Sequence, residues 1–335
     1  MYSLHVFTPG RRTGCPARPV VMAEVRFDTV SLALGEPNPY LRQALKLALA
    51  QRGLTKLTDC YSMEAVEQAL GSPLLDVLIC DVDLQGGDFC DAIHRMRHHR
   101  LGVNPFLLVI ATTAKPEAAL IRHVIDCGVD DLLLKPVSVE VVQDRLTKLA
   151  TGRKPFVVTH DYIGPDRRKG DRVGEGVGTP LIDVPNTLFS KAIEGKNPSD
   201  LQKLIDEAAS SLNTHKMQRY SIQVSFLVRR ILQNHGLSEM GDIFTDDCRT
   251  LQVVAEDLSR RLRGTVYAHV GELAATLTGL ISRFNSQECK PSPVDLELLG
   301  KLAQAIRRAF SGEGDAAVAQ KISDTVSSFT RRSTT

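Results

Sequence analysis

One short apolar run, Val77-Leu78-Ile79-Cys80, stops on an acid, Asp81, and is followed by Asp83 and the turn residues Gln85-Gly86-Gly87. A run of that length with no alternation predicts a strand buried on both faces, as in a parallel sheet covered by helices. Open parallel sheets carry their chemistry at the C-terminal ends of their strands, so Asp81 falls on the functional rim of such a sheet. Two readings of the acids stand at this point. Asp81 and Asp83 hold a hard cation, which takes oxygen ligands, or Asp simply serves a strand-to-loop turn. An EF-hand loop is excluded, because its twelfth position needs a bidentate Glu and Ala92 stands there.

The flanking sequence repeats the strand signal. Val30–Leu34, Leu54–Thr58, Phe106–Ala111 and Leu132–Leu134 are further short apolar runs. Between them lie stretches of helical period. Asn38-Pro39 opens the first, with a capping side chain and a proline where no amide is needed. Ser62, Phe89, Pro116 and Ser138 open or begin the other four. Five strands alternating with five helices predict an α/β, doubly wound, five-stranded parallel sheet over residues 28–150. The basic tail His94-Arg95-Met96-Arg97-His98-His99-Arg100 reads as cations favoured at a helix C-terminus.

On that rim Glu36 follows strand one, Asp81 strand three, Thr113 strand four and Lys135 strand five. Two acids, a hydroxyl and an ammonium converging there suit phosphoryl handling. Asp81 is then the nucleophile, a divalent metal neutralises phosphoryl oxygens and Lys135 pairs with one of them. The pieces Ile79-Cys80-Asp81-Val82-Asp83-Leu84-Gln85-Gly86, Thr113-Ala114, Cys127-Gly128-Val129-Asp130-Asp131 and Leu134-Lys135-Pro136 resemble the receiver domain of two-component response regulators, a flavodoxin-like fold. The resemblance implies that Asp81 accepts phosphate from a histidine kinase or phosphotransfer protein. It also implies that Thr113 reorients toward the acyl phosphate and that Lys135 contacts it. The implied cofactor is Mg²⁺, on Glu36, Asp81 and the backbone carbonyl of Asp83. Two departures bear on efficiency. Pro37 stands where the family has its second acid, so metal binding is expected to be weak. Leu132 stands where a switch Tyr or Phe is usual.

Residues 1–27 are expected to be a disordered extension, and residues 151–185, rich in Gly, Pro and mixed charge, a linker. Within the linker Tyr162-Ile163-Gly164-Pro165-Asp166-Arg167-Arg168 resembles an extension seen after some bacterial receivers, and is expected to lie against the receiver surface. From 186 to 330 the pattern is helical. The stripes begin Leu201/Leu204/Ile205/Ala208/Leu212 and Tyr220/Val224/Leu227/Ile231, and end Val318/Ile322/Val326/Phe329, six amphipathic helices in an all-α bundle. A phosphotransfer role for His269 is disfavoured, because Gly271-Glu272 follows it where such bundles carry Lys-Gly.

Charge narrows the function. Residues 28–150 carry 12 basic and 16 acidic side chains and residues 186–335 carry 19 and 17, a near-neutral balance that points away from a nucleic-acid binder. Seven scattered cysteines suit a reducing cytoplasm, and no stretch has membrane-spanning length. The expected protein is a cytoplasmic response regulator of a phosphorelay, not an enzyme, signalling through a protein-binding helical domain, with a homodimer left open. A degenerate pseudo-receiver scaffold and a transcriptional regulator with a DNA-binding helical half remain the alternatives.

Overall fold

Strand and helix alternate from residue 31 to residue 151 because polar caps close most of the apolar runs. β1 (Ser31–Gly35) hands over to α1 (Pro39–Gln51) through Asn38, whose side-chain oxygen accepts from the amides of Tyr40 and Leu41 at 3.0 and 3.2 Å. β2 (Lys56–Cys60) leads through Ser62 to α2 (Met63–Leu70), and β3 (Val77–Asp81) through Asp88 to α3 (Phe89–Arg97). β4 (Leu108–Thr113), α4 (Ala118–Asp126), β5 (Asp131–Leu134) and α5 (Val139–Thr151), capped by Ser138, complete the unit. The computed structural model describes residues 25–159, 161–167, 181–234, 241–286 and 291–310.

The five strands are parallel, in the order β2-β1-β3-β4-β5. Every residue of β3 and β4 is buried, because apolar clusters cover both faces. One holds Met63, Phe89, Ile93 and Val124 from α2, α3 and α4; the other holds Leu45, Leu49, Val142 and Leu146 from α1 and α5. This is the doubly wound sheet that the run Val77–Cys80 requires.

The stretch expected to be a linker contains a second, three-stranded antiparallel sheet. It is made of β6 (Phe156–Val158), β7 (Ile163–Pro165) and β8 (Leu181–Ile182), in the order β7-β6-β8. Tyr162 begins the motif that fits this sheet to the α/β unit. Its hydroxyl donates to Pro165 O at 2.8 Å, and Arg167 reaches Val129 O. A side chain on Gly164 would come within 2.9 Å of the Gly128 Cα, so the two backbones touch only because both residues are glycine. Arg168 lies outside the described residues. Next, α6 (Thr187–Ala192) buries Leu188 and Ala192 beside α1 and α5, and its Lys191 Nζ bonds Asp76 Oδ2 at 2.8 Å and Leu74 O at 3.0 Å.

The basic tail of α3 does place cations in the last turn of the helix, but one of them is not solvated. Arg97 is fully buried, donating to Gly128 O, Pro105 O and Leu107 O at 2.9, 2.6 and 2.8 Å and to Asp130 Oδ2 at 3.0 Å. Its guanidinium also stacks on Phe156, 5.1 Å from the ring centre. A cation this well supplied with acceptors survives burial, and the β6 strand closes over it.

Beyond α6 lie α7 (Pro198–Asn234), α8 (Gly241–Leu262), α9 (Ala268–Ser286) and α10 (Pro293–Ala309). The stripes 201–212 and 220–231 are not two helices. They are one helix of 37 residues, about 55 Å long, since no Gly or Pro interrupts residues 213–219. Its partners change along its length. Ile205 and Leu212 pack on Phe156, Val158 and Ile163 of the small sheet, while Tyr220, Val224 and Ile231 enter the bundle core with Leu251, Leu258, Leu277 and Leu302. The last expected stripe, 318–329, lies outside the described residues. A polar seam joins bundle and α/β unit where α7 changes partner. Arg100 Nη2 donates to Asp257 Oδ1 at 2.6 Å, Arg261 Nη2 to His98 O at 3.0 Å and Lys216 Nζ to Thr159 O at 2.8 Å. No described helix is long and apolar enough to cross a membrane.

Candidate functional site

The tips of β1, β3, β4 and β5 bring four expected residues together. Glu36 and Asp81 are each 3% exposed and Thr113 is fully buried. Lys135 Nζ lies 2.6 Å from Glu36 Oε2 and bonds Asp81 Oδ2 as well, so one ammonium bridges both acids. The second Asp81 oxygen, Oδ1, accepts from the Asp83 amide at 2.7 Å, and Glu36 Oε1 accepts from the Asn38 amide at 3.0 Å. Both carboxylates are thereby fixed in direction. Burial pulls the Lys135 ammonium down, but its bonds to Asp81 and Glu36 outweigh this and leave its pKa above the ordinary value.

Local sequence explains the placement. Gly35 lets the end of β1 lie against β3, since a Cβ there would meet Cys80 Sγ at 2.7 Å. Gly86 takes a φ of +91° in the loop after Asp83, a conformation glycine adopts without strain. That loop is tied down where the Met63 amide donates to Gln85 O at 2.7 Å. The Lys135–Pro136 bond is cis, and the Lys135 amide donates to Thr113 O at 2.8 Å.

Asp83 is less involved than the spacing implies. Its side chain is half exposed and pairs with Lys115 Nζ at 2.9 Å, and its carbonyl accepts from Gln85 Nε2 at 3.3 Å. Lys115 is a rim residue that sequence reasoning missed. Its amide also donates to Thr113 Oγ1 at 3.1 Å, and its position two residues after Thr113 was the available signal. Pro37 is exposed and brings no ligand to the pocket, and Leu132 is half-buried on β5. Chemically, the pocket offers a carboxylate nucleophile with a cation at its oxygen and a hydroxyl on the neighbouring strand tip. That set suits transfer of an anionic group onto Asp81.

Residues 34–147 match the family model of the response regulator receiver domain. Among curated proteins, the chain is 21% identical over 211 residues to a cyclic di-GMP phosphodiesterase of Thermotoga maritima, covering 63% of this chain and 52% of that protein. It is 30% identical over 140 residues to the response regulator protein PmrA of Pseudomonas aeruginosa, covering 40% of this chain and 60% of that one. The chain therefore spans only 52% and 60% of the lengths of these relatives. Among solved structures, the receiver domain of the putative response regulator NarL from Mycobacterium tuberculosis is 22% identical, covering 37% of this chain and 98% of that one with a TM-score of 0.33. For the chemotaxis response regulator CheY4 of Vibrio cholerae the values are 17%, 36%, 98% and 0.32.

Proposed function

With residues 34–147 a response-regulator receiver domain, we propose that this protein accepts a phosphoryl group on Asp81 from the phosphohistidine of a histidine kinase or phosphotransfer protein. Its helical half then passes the signal to a protein partner. The observation that carries the reading is the single Lys135 ammonium shared by Asp81 and Glu36 beside Thr113. An Asp81 oxygen attacks phosphorus, the P–N bond of the phosphoimidazole breaks and the imidazole leaves with the electron pair. The product is an acyl phosphate. Lys135 moves from carboxylate to phosphoryl oxygen, and the Thr113 hydroxyl turns to donate to another.

Two carboxylates and the Asp83 carbonyl on one rim suit a hard divalent ion that keeps water in its remaining positions. Mg²⁺ on Glu36, Asp81 and that carbonyl would neutralise phosphoryl oxygens. Binding is weak in this reading, because Lys135 already offsets part of the charge on the two acids and Pro37 adds none. The described residues hold no group of three His, Cys, Asp or Glu arranged for a metal.

The contacts of α7 support the output route. One helix touches both the small sheet and the bundle core, so a change at the receiver's edge reaches the bundle through a single rigid element. A catalytic helical half is the second reading, favoured by the phosphodiesterase relative.

Mass spectrometry after treatment with acetyl phosphate, with and without Mg²⁺, tests the site. Wild type should gain one phosphoryl group and Asp81→Asn none. Equal labelling of both overturns the assignment, and an unlabelled wild type makes the domain a pseudo-receiver scaffold. Hydrolysis of cyclic di-GMP by the full chain would make the helical half an enzyme instead.

A further inference from the structure

Between α3 and α4 lies an open cleft of about 370 Å³. Cys90 and Cys127 line it together with Asp88, Asp91, His94 and His123. The two thiols lie close enough to influence each other's ionisation. Their positions are electrically opposite. Cys90 is the second residue of α3, two positions after the Asp88 cap, in the turn where helix amides favour an anion. Cys127 is the C-cap of α4, at the end that disfavours one.

The ionisation follows that asymmetry. The neighbouring Cys127 thiol pulls the Cys90 pKa below its ordinary value against burial and the Asp88 carboxylate, while Cys90 and burial raise that of Cys127. The Cys127 thiol donates to Val124 O at 3.0 Å. Cys60, Cys80 and Cys248 are fully buried, and burial raises the pKa of each.

We propose that Cys90 and Cys127 form a peroxide-oxidisable pair that closes reversibly to a disulfide tying the start of α3 to the end of α4. The Cys90 thiolate attacks one oxygen of hydrogen peroxide and the O–O bond breaks. The departing hydroxide takes a proton to become water, leaving a sulfenic acid on Cys90. The Cys127 sulfur then attacks the Cys90 sulfur, the S–O bond breaks and a second water leaves with the Cys127 proton. Two thiols are oxidised to one disulfide while one peroxide is reduced to two waters. A thiol reductant reverses it by exchange. The site is independent of the assignment of Asp81.

The test is peroxide treatment of the full-length chain, alkylation of the remaining thiols and peptide mass spectrometry without reductant. A Cys90–Cys127 cross-link is expected, lost on adding dithiothreitol. Cys90 should be consumed at least about tenfold faster than Cys60, Cys80 and Cys248. In Cys127→Ser, Cys90 should stop at a sulfenic acid that a dimedone probe captures; in Cys90→Ser, Cys127 should stay unlabelled. Wild-type rates answer the question even where a variant folds poorly. Consumption of Cys90 in step with Cys60, Cys80 and Cys248, a cross-link from Cys90 to a different cysteine, or dimedone capture at Cys127 overturns the proposal.

Discussion

The two edges of the same parallel sheet treat buried acids in opposite ways. At the C-terminal edge Glu36 and Asp81 share one ammonium, that of Lys135. At the N-terminal edge Asp130 alone receives two guanidiniums. Arg97 Nη2 lies 3.0 Å from its Oδ2, Arg153 Nε lies 2.8 Å from its Oδ1, and the Val109 amide adds a bond at 2.9 Å. Burial pushes the Asp130 carboxyl up, but Arg153 and Arg97 outweigh it and hold its pKa below the ordinary range. Asp76, also at this edge, is tied to Lys191 of α6. Asp130, with two cations, and Asp76, with one of its own, hold chain segments together. The pair left short of positive charge retains nucleophilic oxygens and room for a cation. The well-supplied edge is where the small sheet and α6 attach, so it is the edge that meets the rest of the protein.

The largest effect that would break this comparison comes from removing the acid at each edge. Asp130→Asn leaves Arg97 and Arg153 buried without their counter-charge and should lower unfolding free energy by about 3–5 kcal/mol in urea titration. Asp81→Asn removes one of two acids from a site with a single cation and should change stability by less than about 1 kcal/mol. Comparable losses for both would erase the distinction.

Lys216 sharpens it at the seam. The side chain is fully buried, and burial, then the neighbouring Arg261, bring its pKa down to about 7. Its unfolded value is near 10.4. Between these pH values the unfolded chain binds the extra proton, so this group makes stability rise as pH increases from about 7 to about 10. Thermal melts of wild type across that window should show a rise relative to Lys216→Met. Parallel profiles would mean that the lysine stays charged against Thr159 O.

The smallest expected change concerns Pro37. Adding an acid in Pro37→Asp leaves the C-terminal edge shorter still of positive charge, and Mg²⁺ should bind about tenfold tighter, equivalent to about 1.4 kcal/mol. Calorimetric titration of both proteins checks this. Equal affinity would show that position 37 does not face the ion.

Most of the rim was legible in the chain itself. Glu36, Asp81, Thr113 and Lys135 each follow a short apolar run, and the end of a strand is a local property that period and turn residues disclose. Gathering those ends on one edge follows from parallel βαβ connection, which alternation alone implies. Two other features were decided only in three dimensions. Arg97, in the tail of α3, reads locally as a cation favoured at a helix C-terminus. Its burial depends on Asp130 and Phe156, distant in sequence, which supply the counter-charge and the cover that make desolvation tolerable. The union of two stripes into α7 is likewise tertiary. The sequence contains no breaker at 213–219, yet an apolar face that changes direction there looks like two helices. It becomes one when the small sheet covers the first face and the bundle the second, because each face is stable only against the partner that removes it from water.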